Sequence, residues 1–378
     1  MKIAIISPWT ISNTAIGGTE RFVLDLARAF KILGNDVDVY MLSGKEHITD
    51  GINFISLEIL GKDESMDEYK LEKLFGDFSE EKTYDKIAET LEKLIDGRKY
   101  DMIQLNSQLF LKAWVNNKRI FTIHTNPFEY KLAFTEAGFE CMLKIMKNEA
   151  KSKDTIFVTP SKFYANEYSE LSDVKMNYIP HAIDVKRLEN NKTKKEICMS
   201  LNLNEKKKII LLPSRLEPIQ KQPMLFMKAF AKESDNIKEK FQIICTGLDK
   251  QYMGYVDEIT SFCERENINL KIMRFETMAD AYKVADIVVL PSQSESFGYA
   301  ALEALSLGIP TILNSIPTYL EIVENSNNSY TFDNTTDTLK QAFDEVLKSN
   351  LKRLIQEEKW QNQYDLKLFG KRYINILK

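Results

Sequence analysis

Short apolar runs rich in β-branched residues recur along the chain, mostly without the alternation of a half-exposed strand: KIAIIS (2–7), DVDVYML (36–42), DMIQLN (101–106), RIFTIH (119–124) and TIFVTP (155–160). Side chains of a strand point alternately to opposite sides of its sheet, so a continuous apolar run requires cover on both faces. Between several runs lie segments of helical period. In TERFVLDLARAFKILGND, Phe22, Leu26, Ala29, Phe30 and Leu33 share a face and Gly34 ends the turn. Strands covered on both sides and alternating with helices specify a doubly wound parallel sheet.

The pattern starts again after residue 206 with KKIILLP, FQIICTG, LKIMRF, ADIVVLP and PTILN. A chain of 378 residues exceeds what one hydrophobic core usually serves. Two sheets therefore mean two domains. The junction falls in the polar, Lys-rich, strand-free stretch 184–208, giving domains at 1–185 and 186–357 and a final amphipathic helix at 358–378 that packs back on the first domain. The lysines of 184–208 read as a solvated linker rather than as an anionic-membrane contact. Residues 61–98, acidic and Lys-rich with Leu and Ile at helical intervals, read as one or two amphipathic surface helices.

Hydrophobic residues make up 44% and charged residues 28%, with 14 Gly and 10 Pro, the profile of a soluble globular protein. A net charge of -4 argues against a general nucleic-acid binder. Cys141, Cys198, Cys245 and Cys263 are far apart and histidine is rare, so no zinc cluster is expected and the thiols read as free, as in a reducing cytoplasm. The start MKIAIISPW lacks a signal peptide's apolar core, and no run approaches a membrane span. The expected location is cytoplasmic, at most peripheral at the inner membrane face.

Two carboxylates stand out. The strand ADIVVLP ends at Pro291, and a polar loop leads into FGYAALEALSLG, closed by Gly308 and Pro310. Glu295 thus sits at the carboxyl end of a strand, the edge where open α/β sheets bind ligands, and Glu303 lies inside the next helix. That helix is apolar nearly all round, and Glu303 is its only charge. Helical side chains lean toward the N-terminus, so this carboxylate can reach the helix start, where free N–H groups attract phosphate. It can accept ribose hydroxyls there; the same spacing also fits a narrow solvent-facing strip. Glu295 alone fits helix capping or loop solvation equally well.

A leaving diphosphate needs positive charge where its own charge develops. Arg215 and Lys221, in LLPSRLEPIQKQP, follow the first strand of the second domain, where an Arg and a Lys are otherwise simply solvated. IGGTER (16–21) follows the first strand and opens a helix, so Gly17 and Gly18 allow close backbone approach to a ligand. This is not the G-x-G-x-x-G dinucleotide fingerprint, which disfavours a dehydrogenase. Glu20 suits the helix dipole as a first-turn acid. His124 ends RIFTIH, with a hydrogen-bonded structural histidine as its alternative role.

ESFGYAALEALSLGIP resembles the E-x7-E element of retaining GT-B glycosyltransferases, in particular those using nucleotide diphosphate sugars, family GT4. The likeness includes Phe297, Gly298 and the Gly-x-Pro close. LLPSRLEPIQKQP resembles that family's G-R-L-x-x-x-K-G element, with Ser214 where Gly is usual and Gln222 where Gly is common. GGTE is similar to its N-terminal glycine loop, and FETMADAYKVADIVVLPS to the stretch preceding its carboxylates.

The resemblance implies an α/β GT-B fold, two Rossmann-like parallel-sheet domains facing across a cleft, with the donor held mainly by the second and the acceptor by the first. It implies that Arg215 and Lys221 neutralise the departing diphosphate and that Glu303 holds the ribose. Glu295, with the N–H groups of Phe297 and Gly298, orients the sugar. The backbone of Phe275 contacts the base, Gly17 and Gly18 lie beside the donor phosphates, and His124 faces the transferred sugar or the acceptor. His181, in YIPHAID, takes a variable structural position. The implied reaction is transfer of a hexose from a nucleotide diphosphate sugar, UDP-sugar favoured, to a hydroxyl of a glycan, lipid-linked saccharide, protein or small molecule, with retention and in bacterial glycan or glycoconjugate synthesis. No covalent nucleophile, cofactor or metal is expected. A nucleotide-sugar epimerase or hydrolase of the same architecture, or a non-catalytic nucleotide-sugar-binding protein, is the alternative; the intact Arg215, Lys221 and Glu303 set speaks against the last.

Overall fold

A computed structural model describes residues 1–11, 17–60, 68–248, 250–275 and 277–377. Ile16 of the glycine loop, residues 61–67 of the acidic stretch and Glu276 lie outside the described residues. The chain divides into two compact units, Met1–Ile183 together with Gln363–Lys378, and Asp184–Asn362.

The first unit is built on an 8-stranded sheet. Its strands are β1 (Lys2–Ser7), β2 (Asp36–Met41), β3 (His47–Thr49), β4 (Ile52–Ser56), β5 (Met102–Leu105), β6 (Arg119–Thr122), β7 (Thr155–Thr159) and β8 (Met176–Tyr178), in the order β3-β4-β2-β1-β5-β6-β7-β8. All pairs are parallel except β3 with β4. The central strands are buried at nearly every position, as continuous apolar runs demand. β3, β4 and β8 have no such run: they stand at or beside the sheet margins and are only partly covered.

The helix Gly18–Ile32 buries Phe22, Leu26, Ala29 and Phe30, and Gly34 follows with φ 79°. Against it lies the helix Leu366–Asn375, which brings Phe369 and Tyr373 to Phe22 and Phe30. The two helices meet at Gly370, where a Cβ would come within 3.0 Å of Leu33 Cδ1 and 3.1 Å of Ala29. Each fully buried aromatic contributes about 2–3 kcal/mol of apolar transfer energy, so this contact is a substantial part of the first unit's core.

The second unit carries a 6-stranded sheet, β9 (Lys208–Arg215), β10 (Phe241–Gly247), β11 (Leu270–Ile272), β12 (Ile287–Leu290), β13 (Thr311–Asn314) and β14 (Ser329–Phe332). The order is β11-β10-β9-β12-β13-β14 and every pair is parallel. The chain therefore winds outward from β9 through β10 and β11, then returns to β9's other side with β12. Loops after β9 and β12 diverge to opposite faces and leave a crevice at the carboxyl edge.

Before β9, the polar stretch is more ordered than a solvated linker. Thr193 and Glu196 form a capping box on the helix Lys194–Ser200. Lys192 pairs with Asp280, and Lys194 and Lys208 with Asp286, whose carboxylate also accepts the Ile209 N–H at 2.8 Å.

The helix Tyr299–Ser306 stops at Gly308, which has φ 67° and whose carbonyl accepts Leu354 N and Asn328 Nδ2, both at 2.9 Å. A Cβ there would lie 2.7 Å from the Leu354 carbonyl oxygen. Gly308→Ala combines left-handed strain with a backbone clash and is expected to cost about 2–4 kcal/mol in urea unfolding. An equally stable variant would show that the segment around Leu354 yields without cost.

Candidate functional site

The loop after β9 is organised by one carboxylate. Glu217, only 5% exposed, accepts the backbone N–H groups of Ile219 (2.8 Å), Gln220 (2.6 Å) and Lys221 (3.0 Å). The turn enters the helix Pro223–Ala231 through Gln222, at φ 47° and ψ 45°. Here is the reason glycine suits this position: the backbone is left-handed, at a cost of about 1–2 kcal/mol for a residue with a Cβ. Gln222 Nε2 donates to Gln293 Oε1 at 2.9 Å, a bond worth about 1 kcal/mol, so strain and bond nearly offset. Gln293 N also donates to the Gln220 carbonyl at 2.7 Å, which joins the loops on the two sides of the crevice. The backbone of Ser214 and Arg215 runs close against Gly247, where a Cβ would lie 2.5 Å from Ser214 O and from Arg215 Cα.

Across the crevice Lys221 Nζ meets Glu295 Oε1 at 2.7 Å, the side chains being 13% and 17% exposed. Ser292 Oγ (2.9 Å) and Tyr319 OH (3.1 Å) donate to the same oxygen. All three donors converge on Oε1, and Oε2 takes none of these bonds. Arg215 is the exposed last residue of β9; Phe275 is half-buried beyond the carboxyl end of β11. Phe297 is buried, and Gly298 (φ 105°, ψ 55°) precedes the helix Tyr299–Ser306 without a side-chain cap. Because all strands run one way, Arg215, Lys221, Phe275, Glu295, Phe297 and Gly298 stand at one edge of one sheet.

Glu303 is no solvent-facing acid. It is 7% exposed; Tyr282 OH donates to Oε2 at 2.7 Å and Arg187 Nη2 to Oε1 at 2.5 Å. Burial and the Glu303 charge hold the Tyr282 phenol well above its usual range, so it remains a donor. A pair this buried has little tolerance for losing one member, which typically costs about 3–5 kcal/mol. Sequence reasoning missed Arg187, Tyr282, Glu217 and Tyr319. One signal existed: Arg187 is the single Arg among the lysines of 184–208, and a guanidinium suits a buried carboxylate better than an ammonium.

In the first unit Gly17 caps the helix Gly18–Ile32 with extended backbone, so its need is for space rather than left-handed freedom. A Cβ there would meet Glu20 Oε2, whose carboxylate folds against the helix start and is pushed up by burial. Gly18 is exposed. His124 lies just past β6, its ring 4.4 Å from Phe22 and 5.4 Å from His181. Its Nε2 is buried without a hydrogen-bond partner among the described residues.

Burial takes the His124 imidazole down to about 3, and burial with the neighbouring ring takes His181 well below its usual value. Both are therefore neutral near pH 7. Depressed folded-state values mean that the unfolded chain binds these protons first, so the stability they confer is present above pH 6.5 and is lost as pH falls below it, toward about 3 for His124. Between pH 6.5 and 5 the unfolding free energy should fall by up to about 1.4 kcal/mol per pH unit for each imidazole, read from urea midpoints. A flat profile there would mean that the native rings accept protons.

Residues 16–187 match the family model described as Glycosyltransferase Family 4, and residues 193–363 the model described as Glycosyl transferases group 1. An uncharacterized glycosyltransferase of Methanocaldococcus jannaschii is 24% identical over 375 residues, covering 92% of this chain and 89% of that protein. Sucrose-phosphate synthase from Thermosynechococcus elongatus superposes with a TM-score of 0.76 at 19% identity, over 99% of this chain and 98% of that one. Anabaena HepE, solved in complex with UDP and glucose, superposes with a TM-score of 0.71 at 15% identity, over 100% of this chain and 99% of that one. The superpositions establish the architecture, and the two family models, side by side, account for nearly the whole length. The chain is a GT-B glycosyltransferase, its first half belonging to glycosyltransferase family 4 and its second to the group 1 glycosyl transferases.

Proposed function

We propose that the protein transfers a hexose, with retention, from a nucleotide diphosphate sugar to an acceptor hydroxyl in bacterial glycan or glycoconjugate synthesis. UDP-sugar is the favoured donor, a choice supported by the UDP-bound Anabaena neighbour. The observation that carries the reading is the Lys221–Glu295 pair in the crevice where the second sheet reverses its strand order.

An ammonium has three N–H donors and Glu295 takes one, so Lys221 keeps two for a diphosphate. Arg215, at the end of β9, adds the second positive charge. Glu303, already bonded to Arg187 and Tyr282, has a lone pair left on each oxygen for a ribose hydroxyl. The open Oε2 of Glu295 and the N–H groups of Phe297 and Gly298 orient the sugar, while the backbone at Phe275 reads the base. By the family resemblance, Gly17 and Gly18 are the first unit's candidates for phosphate contact, and the neutral His124 is its candidate for exchanging hydrogen bonds with the sugar or the acceptor rather than supplying charge. The anomeric C–O bond to the diphosphate breaks as a bond to the acceptor oxygen forms on the same face, and the acceptor proton passes to the leaving phosphate oxygen. Fixed cations do the neutralising, with no metal or resident cofactor. The acceptor is a glycan, a lipid-linked saccharide, a protein side chain or a small metabolite, and any membrane contact is peripheral.

A thermal-shift screen of UDP-, GDP- and ADP-sugars is expected to select a UDP-sugar. With that donor Lys221→Ala should lower transfer about 100- to 1,000-fold in a protein that still folds and unfolds cooperatively. Near-normal turnover would remove the electrostatic role, and sugar release that never needs an acceptor would mark a hydrolase.

A further inference from the structure

Tyr319 belongs to none of the sequence motifs, yet it touches the crevice twice. It is fully buried in the short helix Pro317–Val323 that follows β13. Its hydroxyl lies 3.1 Å from Glu295 Oε1 and 3.3 Å from Ser292 Oγ. Its ring closes the space over Gly298, where a Cβ would come within 2.6 Å of Tyr319 Cε1 and 3.0 Å of Cδ1. One side chain thus fixes both ends of the segment from Glu295 to Gly298.

The hydroxyl acts within a supported chain. Asn314, at the end of β13, donates through Nδ2 to the Ser292 carbonyl (3.0 Å) and to Asn334 Oδ1 (3.2 Å), which holds Ser292 in place. Ser292 Oγ then donates to Glu295 Oε1 at 2.9 Å. Burial and the nearby Glu295 charge hold the Tyr319 phenol well above its usual range, so it stays protonated and donates at any working pH. Lys221, Ser292 and Tyr319 all meet the carboxylate on one oxygen. A carboxylate held by one oxygen cannot rotate freely, and its other oxygen points in one set direction.

We propose that Tyr319 is a positioning residue: by clamping Glu295 Oε1 and bracing Gly298, it aims Glu295 Oε2 so that this oxygen reads the configuration of the hydroxyls on the transferred sugar. The proposal rests on the glycosyl-transfer reading above. It adds that discrimination between epimeric hexoses is set by a side chain that does not touch the sugar.

Tyr319→Phe tests it, because the ring that braces Gly298 is kept and only the hydroxyl is lost. UDP binding is measured by calorimetry, and kcat and KM are measured with UDP-glucose and UDP-galactose. The expected result is a UDP affinity within about twofold of the parent's, a kcat for the preferred sugar lower by about tenfold or more, and a narrowed preference between the two epimers. Ser292→Ala, which removes the second hydroxyl without disturbing the ring, should move the same readouts in the same direction. Unchanged kcat and preference in Tyr319→Phe overturn the proposal, as does an equal loss of UDP affinity and turnover, which would mark general damage. A parent protein that neither binds UDP nor transfers sugar overturns the reaction reading itself, whereas a working parent with an indifferent Tyr319→Phe overturns only the role of Tyr319.

Discussion

The reversal of strand order between β9 and β12 is the constraint on which the second unit's chemistry depends. A parallel sheet sends all its carboxyl ends to one edge, but only where successive crossovers go to opposite faces do the loops part. Lys221 comes from one side of that parting and Glu295 from the other. Each is set by its own loop, through Glu217 on one side and Ser292 on the other, and the Gln222–Gln293 and Gln220–Gln293 bonds hold the two loops in register. The ion pair is a result of that scaffold. A lone surface pair would be worth about 0–1 kcal/mol and could not hold the loops by itself.

Charge is handled differently a few residues further on. Glu303 sits inside an apolar helix, where a carboxylate without partners is costly. Arg187 and Tyr282 supply its donors, one from the stretch before β9 and one from the helix Met278–Val284. In the first unit the same problem has the opposite solution: His124 and His181 are kept uncharged by the apolar surroundings that Phe22 provides.

Much of this was legible in the sequence, and the boundary of legibility is physical. Continuous apolar runs announced the central strands of both sheets because double cover leaves no polar face. β3, β4, β8 and β14, at or beside the sheet margins, are only partly covered, and three to five residues of mixed pattern are not enough to separate a strand from a loop. Lys221 and Glu295 were visible through the family motifs they fall in; by themselves both read equally well as solvated loop residues. Arg187, Tyr282 and Tyr319 were not, because their roles exist only in pairings with residues far along the chain, Arg187 lying 116 positions from Glu303. A tyrosine at a helix's buried position looks like core until its hydroxyl is given a partner. The left-handed Gln222 was legible only as a departure from a family pattern; its backbone angle and its bond to Gln293 required coordinates.

The close approach at Gly370 bears on how the polypeptide acquires its structure. The first unit is assembled from two segments far apart in sequence, so its Phe22 and Phe30 surface stays uncovered until residues 363–378 have been made. The second unit, by contrast, is one continuous segment that can complete itself earlier. Loss of residues 363–378 would thus strip the first unit of that cover and leave an exposed aromatic patch on a nascent or proteolysed product, a liability for aggregation.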